Sequence, residues 1–139
     1  ARDVACLELG PFLERLVASY DGRVSGELEL APKSIEINPD HLESALRNLL
    51  DNAVRHGEDA PVVLTVVADA NRTRFDVLNR GPAIPQAHAD QLFDRFFTTH
   101  RDRGGTGLGL AIVRAVAESR GGSVDWKSEP GRTVFSLTI

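Results

Sequence analysis

Asn48 and Asn52 stand four residues apart in the segment Asn48-Leu49-Leu50-Asp51-Asn52-Ala53-Val54-Arg55-His56. On a helix that spacing puts both amides on one face, and Arg55 and His56 follow on the same side one turn further on. Asparagine is a mediocre helix former because its amide competes for backbone partners. Two of them inside a leucine-rich helix admit two readings. Either both face solvent, or both turn hard carbonyl oxygens toward a Mg²⁺ ion, which prefers oxygen ligands and shares its shell with phosphates and waters. In the second reading Arg55 supplies positive charge to a phosphate chain, and His56 hydrogen-bonds to a phosphate or a sugar. The competing account of His56 is an exposed histidine in the last helical turn, favoured there by the helix dipole.

A second candidate is the run Gly104-Gly105-Thr106-Gly107-Leu108-Gly109-Leu110, which leads directly into an apolar helical pattern. Glycines let a backbone approach a ligand closely, and a helix N-terminus adds partial positive charge. Together they form a candidate phosphate cradle. The run is not a P-loop, because no Lys-Ser/Thr pair follows at the required spacing, and no strand precedes it as a dinucleotide fingerprint requires. A flexible hinge is the alternative.

The elements that must position these residues are legible in the hydrophobic pattern. Residues 4–9 read as a short strand broken by Gly10-Pro11, and residues 12–20 as an amphipathic helix. Residues 24–30 and 34–37 alternate as strands around Ala31-Pro32. Asn38-Pro39-Asp40 predicts a capped helix start, with the helix running to His56 and stopping at Gly57. Residues 62–68 and 73–78 predict a hairpin around Ala70-Asn71-Arg72, and residues 123–127 and 133–139 a second one around Glu129-Pro130-Gly131. Between the hairpins, residues 108–120 predict a helix that is apolar nearly all round, hence buried, and closed by Gly121-Gly122. From residue 79 to 106 the periodicity dissolves, apart from a short helical piece at residues 90–96. A segment that long is usually a lid or binding loop. Phe93, Phe96 and Phe97 within it are expected to fasten a lid to the body of the domain. The whole reads as one two-layer α/β domain over residues 1–139, a single sheet with helices on one face.

Composition bounds the function. The chain has 139 residues and a formal charge of −4, a balance that argues against a binder of nucleic acid or of a membrane surface. A chain of this size buries roughly 68% of its unfolded surface, so it folds without disulfides or structural metal. Its single cysteine, Cys6, excludes a disulfide framework and fits a reducing compartment. No apolar run approaches the ~18 residues of a membrane span, and Ala1-Arg2-Asp3 does not open a signal peptide.

Four segments occur in order: the asparagine segment above, Asn79-Arg80-Gly81-Pro82-Ala83-Ile84, Leu92-Phe93-Asp94-Arg95-Phe96-Phe97, and Gly105-Thr106-Gly107-Leu108-Gly109-Leu110. Together they resemble the N, G1, F and G2 boxes of the ATP-binding catalytic domain of two-component sensor histidine kinases. That family lies within a wider ATPase superfamily shared with gyrase, the heat-shock chaperone ATPase and mismatch-repair ATPases. The resemblance covers the chain from about Asn38 onward. It implies a Bergerat-type sandwich, a mixed and mostly antiparallel sheet packed on one side by about three helices, with a mobile ATP lid at about residues 79–106.

By the same resemblance Asn52 is the Mg²⁺ ligand with Asn48 beside it, and Arg55 is a phosphate contact. Gly105, Gly107 and Gly109, with Thr106 and Leu108, form the triphosphate cradle. One of Arg95, Arg101 and Arg103 touches the γ-phosphate, and Thr133 lies near adenine. Asn79 stands where the family usually has an adenine-reading aspartate, and Gly81 and Ala83 stand at its two glycine positions, beside Ile84. This sequence therefore departs from the pattern twice, with Asn79 for Asp and Ala83 for Gly.

The implied activity is transfer of the γ-phosphoryl group of ATP to a histidine. None of His41, His56, His88 and His100 is followed by an acidic residue and a proline at the spacing of the family's acceptor motif. The expected partner is therefore the parent's own dimerisation and phosphoacceptor domain, and through it a response regulator. The expected location is the cytoplasm, or the cytoplasmic part of a membrane sensor, with no direct membrane contact by this domain. Three other functions remain: a noncatalytic nucleotide-binding module; an anti-sigma-factor-type serine kinase of the same fold, whose lid usually reads differently from Gly-Thr-Gly-Leu-Gly-Leu; and, least favoured, a stand-alone hydrolase of the gyrase or chaperone type. A thermal-shift titration with Mg-ATP separates the first, and incubation with candidate serine and histidine acceptors the second.

Overall fold

The computed structural model describes residues 4–57, 60–81 and 109–139. The elements in chain order are β1 (Ala5–Glu8), α1 (Leu9–Ala18), β2 (Val24–Glu27), β3 (Ser34–Ile37), α2 (Pro39–His56), β4 (Val62–Asp69), β5 (Arg72–Asn79), α3 (Gly109–Ser119), β6 (Ser123–Glu129) and β7 (Arg132–Thr138). Five strands form one sheet in the order β2-β4-β5-β7-β6, with β2 parallel to β4 and the other pairs antiparallel. This is the mixed, mostly antiparallel sheet with three helices that the family resemblance implied. The expectation of a single sheet is corrected, because β1 and β3 pair with each other as a separate antiparallel ribbon.

β1 ends just before Gly10-Pro11 as expected, but the following helix starts earlier than the predicted residue 12. Helix α1 begins at Leu9, so Pro11 lies in its first turn, where a missing N–H costs no helical bond. Helix α2 matches its predicted bounds. The Asn38 side chain accepts from the backbone N–H of Asp40 at 2.9 Å and of His41 at 3.4 Å, and Pro39 fills the first helical position. Its buried stripe is Leu42, Ala45, Leu46, Leu49, Leu50 and Ala53. That stripe packs over the inner face of the sheet, where every second residue is buried: Val62, Leu64 and Val66 on β4, Phe75 and Val77 on β5, Phe135 and Leu137 on β7. The period of 3.6 on one layer meets the period of 2 on the other, which is how two layers share one core.

Helix α3 closes on Gly121, whose φ of 70° lies in the left-handed region. The N–H of Gly122 reaches the Ala117 carbonyl and that of Gly121 reaches Glu118, the paired bonds of a Schellman cap. The expectation that α3 is buried nearly all round is corrected. Val113 and Ala117 are buried, while Ile112 is 38% exposed. Apolar composition marked the helix, but one face suffices to bury it against α2 and the sheet. The proposed lid and its helical piece at residues 90–96 lie outside the described residues, as do Phe93, Phe96, Phe97, Arg95, Arg101 and Arg103.

Candidate functional site

The site is built where the C-terminal end of α2 meets the end of β5. Asn79 is the last residue of β5, and its neighbour across the ladder is Thr133 on β7. Both are buried, Asn79 to 1% exposure. Period-2 alternation explains the placement: Asn79 continues the inward row of Phe75 and Val77, so the strand that builds the core also aims this amide inward. Neither Oδ1 nor Nδ2 of Asn79 has a hydrogen-bond partner among the described residues. An unsatisfied buried polar group costs about 1–3 kcal/mol, and native proteins keep few of them. The Asn79 side chain thus presents an amide NH2 and a carbonyl oxygen with no partner among the described residues.

The glycines at this junction are there for space. A Cβ on Gly81 would overlap the backbone carbonyl oxygen of His56. A Cβ on Gly57 would sit 3.0 Å from the Ala53 carbonyl oxygen and 3.8 Å from the Asn79 Cβ. Gly57 has a φ of −74°, so close approach rather than left-handed backbone selects it. The Gly81 carbonyl accepts from Gly131 N–H at 3.1 Å, which ties the end of β5 to the β6–β7 turn. The end of the asparagine helix is thereby held against Asn79.

Along α2, Asn52 and His56 are half-buried and Arg55 is exposed. Asn48 donates through Nδ2 to the Ser44 carbonyl at 2.7 Å, and a Cβ on Gly109 would lie 2.8 Å from its Oδ1. Asn48 therefore sits against the first residue of α3, and Gly109 is small to admit it. The structure brings together Asn48 with Gly109, and both the His56 carbonyl and the Asn79 amide with Gly81. Ala83, Ile84, Gly105, Thr106, Gly107 and Leu108 lie outside the described residues.

Two features were missed by sequence reasoning. Ser128 Oγ and Thr133 Oγ1 are 2.7 Å apart across β6 and β7, and either can be the donor. The hairpin register predicts their adjacency, so that signal was present. The second is a polar tie between α1 and α2. Tyr20 donates to Asp51 Oδ1 at 2.6 Å, and Arg47 lies over the tyrosine ring at 5.7 Å from its centroid while donating to Glu43 and to Ser19 Oγ. The tie ends one residue before Asn52 and joins positions 31 apart, which no local pattern encodes.

Desolvation by burial and the bond to Asp51 hold the Tyr20 hydroxyl above the ordinary tyrosine value of 10.0. A raised value means that the neutral form is favoured in the fold. The stability it contributes is therefore complete below about pH 10 and lost as pH rises through the folded value. Tyr20 is the only tyrosine, so its ultraviolet titration is clean. We expect no tyrosinate step near pH 10 while the chain is folded, and a loss of about 0.5–1.5 kcal/mol in Tyr20→Phe by urea unfolding. An ordinary titration near pH 10 would show that the tie is absent in solution.

The five-stranded sheet and its helical layer define a two-layer α/β sandwich. The pattern of the family described as histidine kinase-, DNA gyrase B-, and HSP90-like ATPase matches residues 37–139, and the chain belongs to that family. It is 34% identical over 148 residues to the probable sensor histidine kinase TcrY of Mycobacterium tuberculosis, an alignment that takes in 96% of this chain and 31% of TcrY. Among solved structures it is similar to full-length ShkA in complex with AMPPNP, with a TM-score of 0.82 and 26% identity over 96% of this chain and 30% of ShkA. It also shares the fold of the catalytic domain of histidine kinase ThkA, with a TM-score of 0.81 and 24% identity over 98% of this chain and 94% of that domain.

Proposed function

We infer that this chain binds Mg-ATP and donates the γ-phosphoryl group to a histidine on a separate dimerisation and phosphoacceptor segment of a sensor kinase. The observation that carries the reading is the buried Asn79 amide, neither end of which has a partner among the described residues, held beside the end of the asparagine helix. A base read by Asn79 and bordered by Thr133 leaves its phosphates toward α2. There Asn52, with Asn48 beside it, would offer carbonyl oxygens to Mg²⁺, and Arg55 and His56 would meet the phosphates. The metal, when bound, neutralises charge on the phosphate oxygens. The chain's own part is positioning: phosphoryl transfer asks for aligned reactants and fixed positive charge more than for covalent chemistry. The glycine run from Gly105 to Gly109, at the start of α3, would add backbone N–H donors at a helix N-terminus. TcrY is named a probable sensor histidine kinase and ShkA is described with AMPPNP bound, and both support the reading. By the same reading the domain works in the cytoplasm, and a response regulator receives the phosphate from its histidine partner.

Asn52→Ala tests the metal arm. If Asn52 ligates a Mg²⁺ that bridges the phosphates, Mg-ATP binding weakens by about 1–3 kcal/mol while adenosine binding is unchanged. Calorimetry with both ligands checks this, and equal losses for the two would remove Asn52 from the metal site.

A further inference from the structure

Building on the nucleotide reading above, we propose that Asn79 makes this site a two-way purine reader, accepting 6-oxopurine triphosphates such as GTP and ITP alongside ATP. Its amide carries a donor and an acceptor on one planar group, and no described residue holds either end. With Oδ1 toward the 6-amino group of adenine, Nδ2 donates to the ring nitrogen beside it. A half-turn of the amide reverses the pair. Nδ2 then donates to the 6-oxo group of guanine or hypoxanthine, and Oδ1 accepts from the protonated ring nitrogen. In most buried asparagines a backbone partner fixes the amide and forbids that turn. Here no described residue fixes the amide, so the base edge that meets it sets its orientation.

The neighbour across the ladder is equally adaptable. The Thr133 and Ser128 hydroxyls share one hydrogen bond at 2.7 Å in which either can donate. Thr133 can therefore turn a lone pair or a proton toward a ligand without losing its partner. A carboxylate at position 79 would behave differently. It only accepts, so it would meet the 6-amino group favourably and the 6-oxo group with like charge. Specificity is a difference between two affinities, and a rejecting contact is its usual source. Asn79 lacks the rejecting half.

The test is displacement of a ribose-labelled fluorescent ATP analogue, with Mg²⁺, from the 139-residue chain by ATP, GTP, ITP and tripolyphosphate. GTP and ITP are expected to compete within about tenfold of ATP, and all three better than tripolyphosphate. Asn79→Asp should widen the ATP-over-GTP gap by about tenfold or more, and Asn79→Ala should weaken both together. Thermal unfolding identifies a variant that fails to fold; should the buried carboxylate unfold the domain, the wild-type gap and Asn79→Ala decide. A wider wild-type gap, or one that Asn79→Asp leaves unchanged, overturns two-way reading while leaving the ATP site intact. No binding of the labelled analogue at all overturns the nucleotide reading together with it.

Discussion

Incubated with Mg-ATP, the 139-residue chain is expected to bind nucleotide and to incorporate no acid-labile phosphate into itself. Transfer needs a nucleophilic nitrogen in line with the γ-phosphate at near contact. His41 and His56 both lie on α2, in its first and last turns. At 1.5 Å of rise per residue they are about 22 Å apart, so His41 cannot reach a phosphate held near Asn52 to His56. The His56 backbone carbonyl lies against Gly81, and His88 and His100 lie outside the described residues. Adding the dimerisation segment of the chain's own parent should raise incorporation from none to about one phosphate per acceptor, on the added segment. The measurement is labelling with γ-labelled ATP followed by acid and base treatment. Stoichiometric labelling mapped to a histidine of this chain would contradict the division of labour between binding domain and acceptor.

The second large effect is expected from one methyl group. Gly81→Ala places a Cβ on the His56 carbonyl oxygen, a backbone atom that cannot swing aside as a side chain would. The end of β5 cannot retreat either, because the Gly81 carbonyl is tied to Gly131 N–H at 3.1 Å. The strain must separate the end of α2 from β5, and with them the proposed phosphate contacts from Asn79. Overpacking of this kind costs about 1–3 kcal/mol in stability. A shift of about 1 Å at a binding junction typically costs far more in function, on the order of a hundredfold. Gly10→Ala is the internal control, since nothing lies within 4 Å of its Cβ position and it sits in the first turn of α1. That variant should be neutral or slightly stabilising, alanine being the better helix former. Urea unfolding and Mg-ATP calorimetry on both variants check the contrast. Equal behaviour of the two would mean that the junction yields freely and does not position the site.

Local chemistry determined a good deal of this protein from the sequence alone. The cap at Asn38, Pro39 at the first position and the stop at Gly57 delimit α2, because each acts on backbone groups within a few residues of itself. The hairpins β4–β5 and β6–β7 were legible for the same reason: alternation and a turn between two runs are short-range signals. So was the asparagine face, since i and i+4 share a side by geometry. Tertiary structure decided what depends on positions far apart. It paired β1 with β3 and sent β2 to β4 in parallel, because strand partners are chosen by which edges reach each other across the core, and alternation marks a strand without naming its neighbour. It left one side of α3 open although the helix reads as apolar nearly all round, because burial is set by what packs against a face. It brought Tyr20 to Asp51 and the His56 carbonyl to Gly81. It also gave Asn79 its character: the residue type was plain in the sequence, but that both ends of its amide are buried with no partner among the described residues follows only from how β5, β7 and the end of α2 come together.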